Sequence, residues 1–276
     1  MAVNYELRYA SHPEDFKSYD TERINKEYLV SNLFEEGNIN LVYSLYDRFI
    51  TGGAKPGKSS LKLETIEPLK SEFFLQRREL GIINVGKNNG IVTLDGEDVE
   101  LSYKEALYVG SGVKEVTFKG DTNFYLNSTP AHTSYPNKKV TAKEAEIVEL
   151  GALETANHRV INKLIVNSVV KTCQLQMGMT ELKKGSVWNT MPAHTHNRRM
   201  EVYFYFDLPE DQALLHLMGE PKETRHLWMK NNEAVISPSW SIHSGAGTSN
   251  YIFIWGMAGE NLDYGDMNIS EIKDLK

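Results

Sequence analysis

Pro192-Ala193-His194-Thr195-His196-Asn197-Arg198-Arg199-Met200-Glu201-Val202-Tyr203-Phe204-Tyr205-Phe206 sets two histidines and a glutamate ahead of a β-prone aromatic run. His194 and His196 stand at i and i+2, so on an extended strand both rings leave the same face. Glu201 follows His196 by an odd step, which on one straight strand would point it to the opposite face. The polar run Asn197-Arg198-Arg199 is a natural place for a turn or bulge that returns the carboxylate to the imidazoles. Two neutral imidazoles and a carboxylate, converging, form a donor set for a divalent transition metal. A third imidazole, His243, lies 42 positions beyond Glu201, in Ser237-Pro238-Ser239-Trp240-Ser241-Ile242-His243-Ser244-Gly245. That separation leaves room for two or three strands. The expectation is a metal site of His194, His196, Glu201 and His243 inside a β-barrel.

The surrounding sequence is β-prone too. Leu41-Val42-Tyr43-Ser44-Leu45-Tyr46 reads as a strand running on to a loop at Gly52-Gly53. Ile82-Ile83-Asn84-Val85, Ile91-Val92-Thr93-Leu94, Leu107-Tyr108-Val109 and Val116-Thr117-Phe118 are further short runs, with Asn89-Gly90 and Asp95-Gly96 as tight turns between strands. From Thr172 to Thr180 the alternation predicts one strand with Cys173, Leu175, Met177 and Met179 on its apolar face. Burial there would keep the Cys173 thiol protonated and inert. Strands this short and this evenly spaced suggest a barrel or sandwich. Asp20 is placed to cap a short helix carrying Ile24, Tyr28 and Leu29 on one side. Residues 136–160 are richer in charge and read as a connection between two units, and the chain after Glu260 as an acidic, partly helical tail.

An internal repeat links the two halves. Leu75-Gln76-Arg77-Arg78-Glu79 matches His196-Asn197-Arg198-Arg199-Met200-Glu201 with one residue missing, and strands follow both. On that register Phe73 and Leu75 replace the two histidines. Gly110-Ser111-Gly112-Val113-Lys114-Glu115 resembles the His243 segment, with Glu115 at the histidine's place.

Composition narrows the function classes. The chain has 276 residues, 41% hydrophobic and 24% charged, enough for one large or two ordinary domains with filled cores. A net charge of −7 argues against a nucleic-acid surface but permits an anionic small substrate met by local arginines. The single cysteine rules out an intrachain disulfide and suits a reducing compartment. With no basic, apolar leader at the N-terminus and no apolar run of about 18 residues, a cytoplasmic location is expected, away from membranes.

His-x-His-x4-Glu followed by Pro-x-x-x-x-His is the metal signature of the cupin barrels, although Trp240 and Gly247 depart from the second motif's usual glycine and asparagine. Trp188-Asn189-Thr190-Met191-Pro192, the run from Arg198 to Phe206, and the segment around His243 resemble the 5-keto-4-deoxyuronate isomerases of pectin breakdown. The likeness continues through Arg77-Arg78-Glu79-Leu80-Gly81 and Ala106-Leu107-Tyr108-Val109-Gly110, so it covers most of the chain. It implies an all-β fold of two cupin-type double-stranded β-helix barrels (a bicupin) with a few short helices. Residues 1–140 would form a metal-free barrel with a leading helical arm, and residues 141–276 the barrel that carries one Zn2+. It also implies a homo-oligomer, a hexamer in similar isomerases. The reaction implied is isomerisation of 5-dehydro-4-deoxy-D-glucuronate to 3-deoxy-D-glycero-2,5-hexodiulosonate. Zinc would stabilise the enediolate while a base carries the proton from carbon 2 to carbon 1, and a hydride shift would give the same product.

Glu201, Glu223 and His226 are the candidate bases, with Glu220 beside them. Arg199 and Arg225 are the chosen receivers for the substrate carboxylate, from a set that also holds Arg159, Lys163 and Arg198. Tyr203 and Tyr205 share parity with Glu201 and so are expected to face the barrel interior. His132 reads as structural. Two other functions stay open at this point: an iron- or manganese-dependent oxygenase or oxidase, and a metal-stabilised sugar-acid binding protein without turnover.

Overall fold

Ile39, Leu41, Leu80, Ile82, Val92 and Phe118 come from strands far apart in sequence and pack into one apolar core. The computed structural model describes residues 3–276, and two seven-stranded and two four-stranded sheets carry the chain. The first long sheet runs in the order Val3–Arg8, Asn38–Ser44, Ile50–Lys55, Phe124–Pro130, Arg78–Asn84, Ala106–Val109, Lys138–Val140. Its companion is Ser60–Lys62, Val116–Lys119, Gly90–Leu94, Glu97–Leu101. The second long sheet runs Glu146–Leu150, Arg159–Ile165, Gln176–Leu182, Ile252–Gly259, Arg199–Phe206, Glu233–Ser237, Leu29–Val30. Trp188–Asn189, Ser244–Gly247, Leu214–Glu220 and Glu223–Met229 form the matching short sheet. The chain is all-β and bicupin in architecture. Among the described residues no helix is long and apolar enough to cross a membrane.

The long sheets repeat one strand order, and the ladders set the register between them. Arg78 pairs with Pro130, the last residue of its neighbour, as Arg199 pairs with Gly259. On the other side Leu80 pairs with Val109 and Glu201 with Ser237, again the last residues of their strands. Leu80 therefore holds Glu201's ladder position, without the one-residue gap that the sequence match required. Leu80 points into the apolar core, while Glu79, one residue earlier, points to the other face. Glu115 is exposed and pairs with Lys62 at 3.2 Å.

Two compact units divide the chain, and not by a single cut at residue 140. One comprises Asn32–Glu146 and Lys163–Met177 with the strand Val3–Arg8; the other comprises Tyr9–Ser31, Ile147–Asn162 and Gly178–Lys276. The helical arm thus belongs with the second unit. Asp20 caps the helix Thr21–Tyr28 by accepting from the Arg23 amide at 2.9 Å, which turns Ile24 and Tyr28 inward. Phe16 sits 5.2 Å from the Trp240 ring, and Leu29–Val30 joins the sheet against Val235 and Ala234.

Two local expectations fail for identifiable reasons. Gly52 and Gly53 lie inside a strand rather than a loop, because a Cβ at Gly52 would stand 2.4 Å from Leu41 Cδ2 on the neighbouring strand. Asp95-Gly96 does make a two-residue hairpin, with positive φ at both positions. The strand predicted from Thr172 begins only at Gln176. The amides of Cys173, Gln174 and Leu175 instead donate to the Glu79 carboxylate at 2.8, 2.8 and 2.7 Å. Cys173 is half-buried, and burial raises its thiol pKa.

Tyr108 and Thr129 also donate to Glu79, so five groups meet one fully buried carboxylate. Glu79→Gln would turn an amide NH2 toward some of these donors. The variant is expected to lose about 3 kcal/mol of stability, read from the urea midpoint by circular dichroism. A loss below about 1 kcal/mol would show that the loop at 173–175 holds without the carboxylate.

Candidate metal centre

The predicted turn occurs at Asn197 and Arg198, between the two-residue strand His194–Thr195 and the long strand Arg199–Phe206. It brings Glu201 back to the histidines. His194, His196, Glu201 and His243 offer ligand atoms all within 4.8 Å of one another. Glu201 Oε2 lies 3.0 Å from His196 Nε2 and 2.9 Å from His243 Nε2, and His243 Nε2 lies 3.0 Å from His194 Nε2. His196, Glu201 and His243 are buried, and His194 partly so.

The arrangement suits a cation. His196 Nδ1 faces the Arg199 carbonyl at 3.2 Å, which assigns the proton to Nδ1 and leaves the Nε2 lone pair toward the cluster. That Nε2 is buried without a hydrogen-bond partner. Burial, reinforced by the His243 charge, lowers the His194 pKa to about 3, and burial also lowers that of His243. Burial alone would raise the Glu201 carboxyl, but the facing His243 and His196 rings hold it well below the usual carboxylate range. The set offers three imidazoles and one carboxylate as donors. Tetrahedral bonds of about 2.1 Å place ligand atoms roughly 3.4 Å apart, close to the spacing here. The residues fit a divalent cation.

A cavity of about 280 Å³ opens beside the cluster. His194, His196, Glu201, Arg199 and Tyr203 line it, together with Arg159, Trp255 and a largely apolar wall. The Tyr203 and Thr190 hydroxyls lie 2.8 Å apart at its surface. Tyr205 is buried with its hydroxyl 2.7 Å from His216 Nδ1. Burial, with a smaller effect of the His243 charge, lowers the His216 pKa to about 3.

Several candidates from the sequence lie elsewhere. Glu223, Arg225 and His226 sit on the edge strand Glu223–Met229 and do not line the cavity. Arg225 pairs with Glu223 at 2.8 Å and donates to the Lys17 carbonyl at 2.9 Å, while His226 is exposed. Glu220 pairs with Lys17 at 3.2 Å and Lys163 with Glu146 at 2.5 Å. Arg198 and His132 are exposed. Arg199 is buried and reaches the cavity, but it donates to the carbonyls of Asp263, Tyr264 and Asp266. Sequence reasoning missed Trp255 and Tyr264. Strand parity with Phe253 and Met257 was the available signal for Trp255, and Tyr264 had none.

Residues 28–273 match the model of the KduI/IolB family. The chain belongs to the KduI/IolB family. A 4-deoxy-L-threo-5-hexosulose-uronate ketol-isomerase of Formosa agariphila is 63% identical over the whole of both chains. One of Bacteroides fragilis is 58% identical, also over the whole of both. Among solved structures, an IolB-like protein of Salmonella typhimurium covers 88% of this chain and 96% of its own, with a TM-score of 0.71 at 16% identity. That last likeness is one of fold.

Proposed function

We propose that the protein is a zinc-dependent ketol-isomerase that converts 5-dehydro-4-deoxy-D-glucuronate to 3-deoxy-D-glycero-2,5-hexodiulosonate in the breakdown of pectin-derived uronates. The carrying observation is the buried three-imidazole, one-carboxylate set beside a cavity, in a chain 63% identical throughout to a protein named 4-deoxy-L-threo-5-hexosulose-uronate ketol-isomerase. Zinc held by His194, His196, Glu201 and His243 would supply Lewis acidity without a change of redox state. The protein's own groups then have distinct tasks. The Arg199 carbonyl fixes the His196 ring through Nδ1. Glu201 is the one base candidate of three that lines the cavity. Its Oε2 faces the imidazoles, and its other oxygen is the proposed carrier of the proton from carbon 2 to carbon 1. The linked Tyr203 and Thr190 hydroxyls orient substrate oxygens, and the Phe253 and Met257 wall limits water. The same reading makes the protein a cytoplasmic homo-oligomer, hexameric as in similar isomerases, with a small anionic keto-sugar acid as its partner.

Metal-stripped protein is expected to lose conversion of the uronate and to regain it with zinc. In heavy water, proton transfer places deuterium on carbon 1 of the product. No conversion at full zinc occupancy, or net oxygen uptake during turnover, would overturn the assignment.

A further inference from the structure

We propose that Arg159, with the Trp255 indole N–H as a second donor, receives the carboxylate of the substrate and thereby selects acids over neutral sugars. The inference rests on the ketol-isomerase reading and names the residue that recognises the acid end. Two arginines line the cavity, and they are differently engaged. The Arg199 guanidinium is committed to three backbone carbonyls. Arg159 uses only one terminal nitrogen, which donates to the Asn157 carbonyl at 3.0 Å and to its Oδ1 at 2.6 Å. Those two bonds fix the plane of the fork and leave its other N–H groups for a ligand. None of the described carboxylates pairs with it. An unpaired guanidinium, half-buried in an apolar-walled cavity, is matched in charge and shape by a carboxylate. Burial lowers the Arg159 pKa, partly offset by Tyr264 and Tyr203, as expected of a cation without an anionic partner.

Trp255 supplies the second observation. It is 3% exposed, lines the same cavity, and its Nε1 is buried with no acceptor. A buried donor left unmade costs about 1–3 kcal/mol, which a ligand acceptor would recover. The indole is seated by its surroundings. A Cβ at Gly178 would lie 2.2 Å from Trp255 Cζ2, so only glycine leaves room for the ring, and Tyr264 packs 5.1 Å from its other side. With the acid end at Arg159, the aldehyde end of a six-carbon chain is directed toward the metal cluster.

The test compares Arg159→Gln, Arg159→Lys and Trp255→Phe, zinc-loaded, by calorimetry. The probes are D-gluconate and D-glucitol, open six-carbon chains that differ only in a carboxylate for a hydroxymethyl group. Wild type is expected to prefer gluconate. Arg159→Gln should weaken gluconate about 100-fold and leave glucitol unchanged. Arg159→Lys should restore part of the loss, and Trp255→Phe should cost gluconate alone several-fold. Zinc content and melting temperature report that each variant is folded, and the KM for the uronate should rise in Arg159→Gln more than kcat falls. Equal gluconate binding by wild type and both Arg159 variants, or no preference in wild type, overturns the proposal. An Arg159-dependent preference in a protein that does not turn over the uronate would instead keep the carboxylate site and remove the isomerase assignment.

Discussion

Replacing His243 by alanine is expected to lower zinc affinity about 100-fold and to abolish turnover while leaving the fold in place. Four-ligand zinc sites bind with roughly 10–16 kcal/mol, so one of four ligands is worth about 3 kcal/mol, or about 100-fold. His243 is fully enclosed, and its ring touches both Glu201 and His194, so no exposed side chain or open water path substitutes for it. Glu201→Gln probes the charge with little change in volume. It leaves a neutral donor set and should weaken zinc by a similar factor. The fold is expected to survive because Val202, Phe204 and Phe206 alternate with the cluster side of the strand and are buried on the other face. Dialysis against a mild chelator, followed by metal quantification, is the direct check. Zinc should also raise the melting temperature of wild type more than that of the variants. Full metal retention by His243→Ala would remove this residue from the site.

The donor set was legible because it depends on local rules. Alternation along an extended chain, a polar turn at Asn197-Arg198 and the order His, His, Glu, His are all written in the sequence. The cap at Asp20 and the hairpin at Asp95-Gly96 are local in the same way. Non-local contacts defeated the other expectations. Thr172 to Leu175 has a strand's pattern, yet its amides meet Glu79, nearly a hundred residues earlier in the chain. Gly52 resembles a loop glycine until Leu41 on the next strand is seen to need its space. Arg225 looked available because the pattern does not reveal that it donates to the distant Lys17 carbonyl. The repeat was found, but its register depended on ladder partners that no single sequence displays.

Deletion of residues 261–276 is expected to destabilise the second unit by about 3–5 kcal/mol and to weaken zinc binding at the same time. The tail reads as an acidic, partly helical end, yet it completes two features of the metal centre. First, its carbonyls at Asp263, Tyr264 and Asp266 accept from Arg199, a side chain 1% exposed whose Nε is already buried without a partner. Removing those carbonyls strands a guanidinium in a low-dielectric setting, which costs more than losing both partners together. Second, among the described residues Asn268–Ile269 is the sole strand partner of His194–Thr195, and the Ser270 amide donates to the Ala193 carbonyl at 2.9 Å. Without that pairing the His194 backbone loses its strand partner, and its ring keeps the contact with His243. The two effects are separable by a double-mutant cycle. In an Arg199→Met background the deletion should cost far less stability, because no buried charge is left unmatched, but zinc affinity should still fall through His194. At about 2–4 °C per kcal/mol, deletion alone lowers the melting temperature by roughly 10 °C. Equal stability losses in both backgrounds would show that the tail acts through packing and not through Arg199. Unchanged zinc affinity would show that His194 keeps its place without the strand beside it.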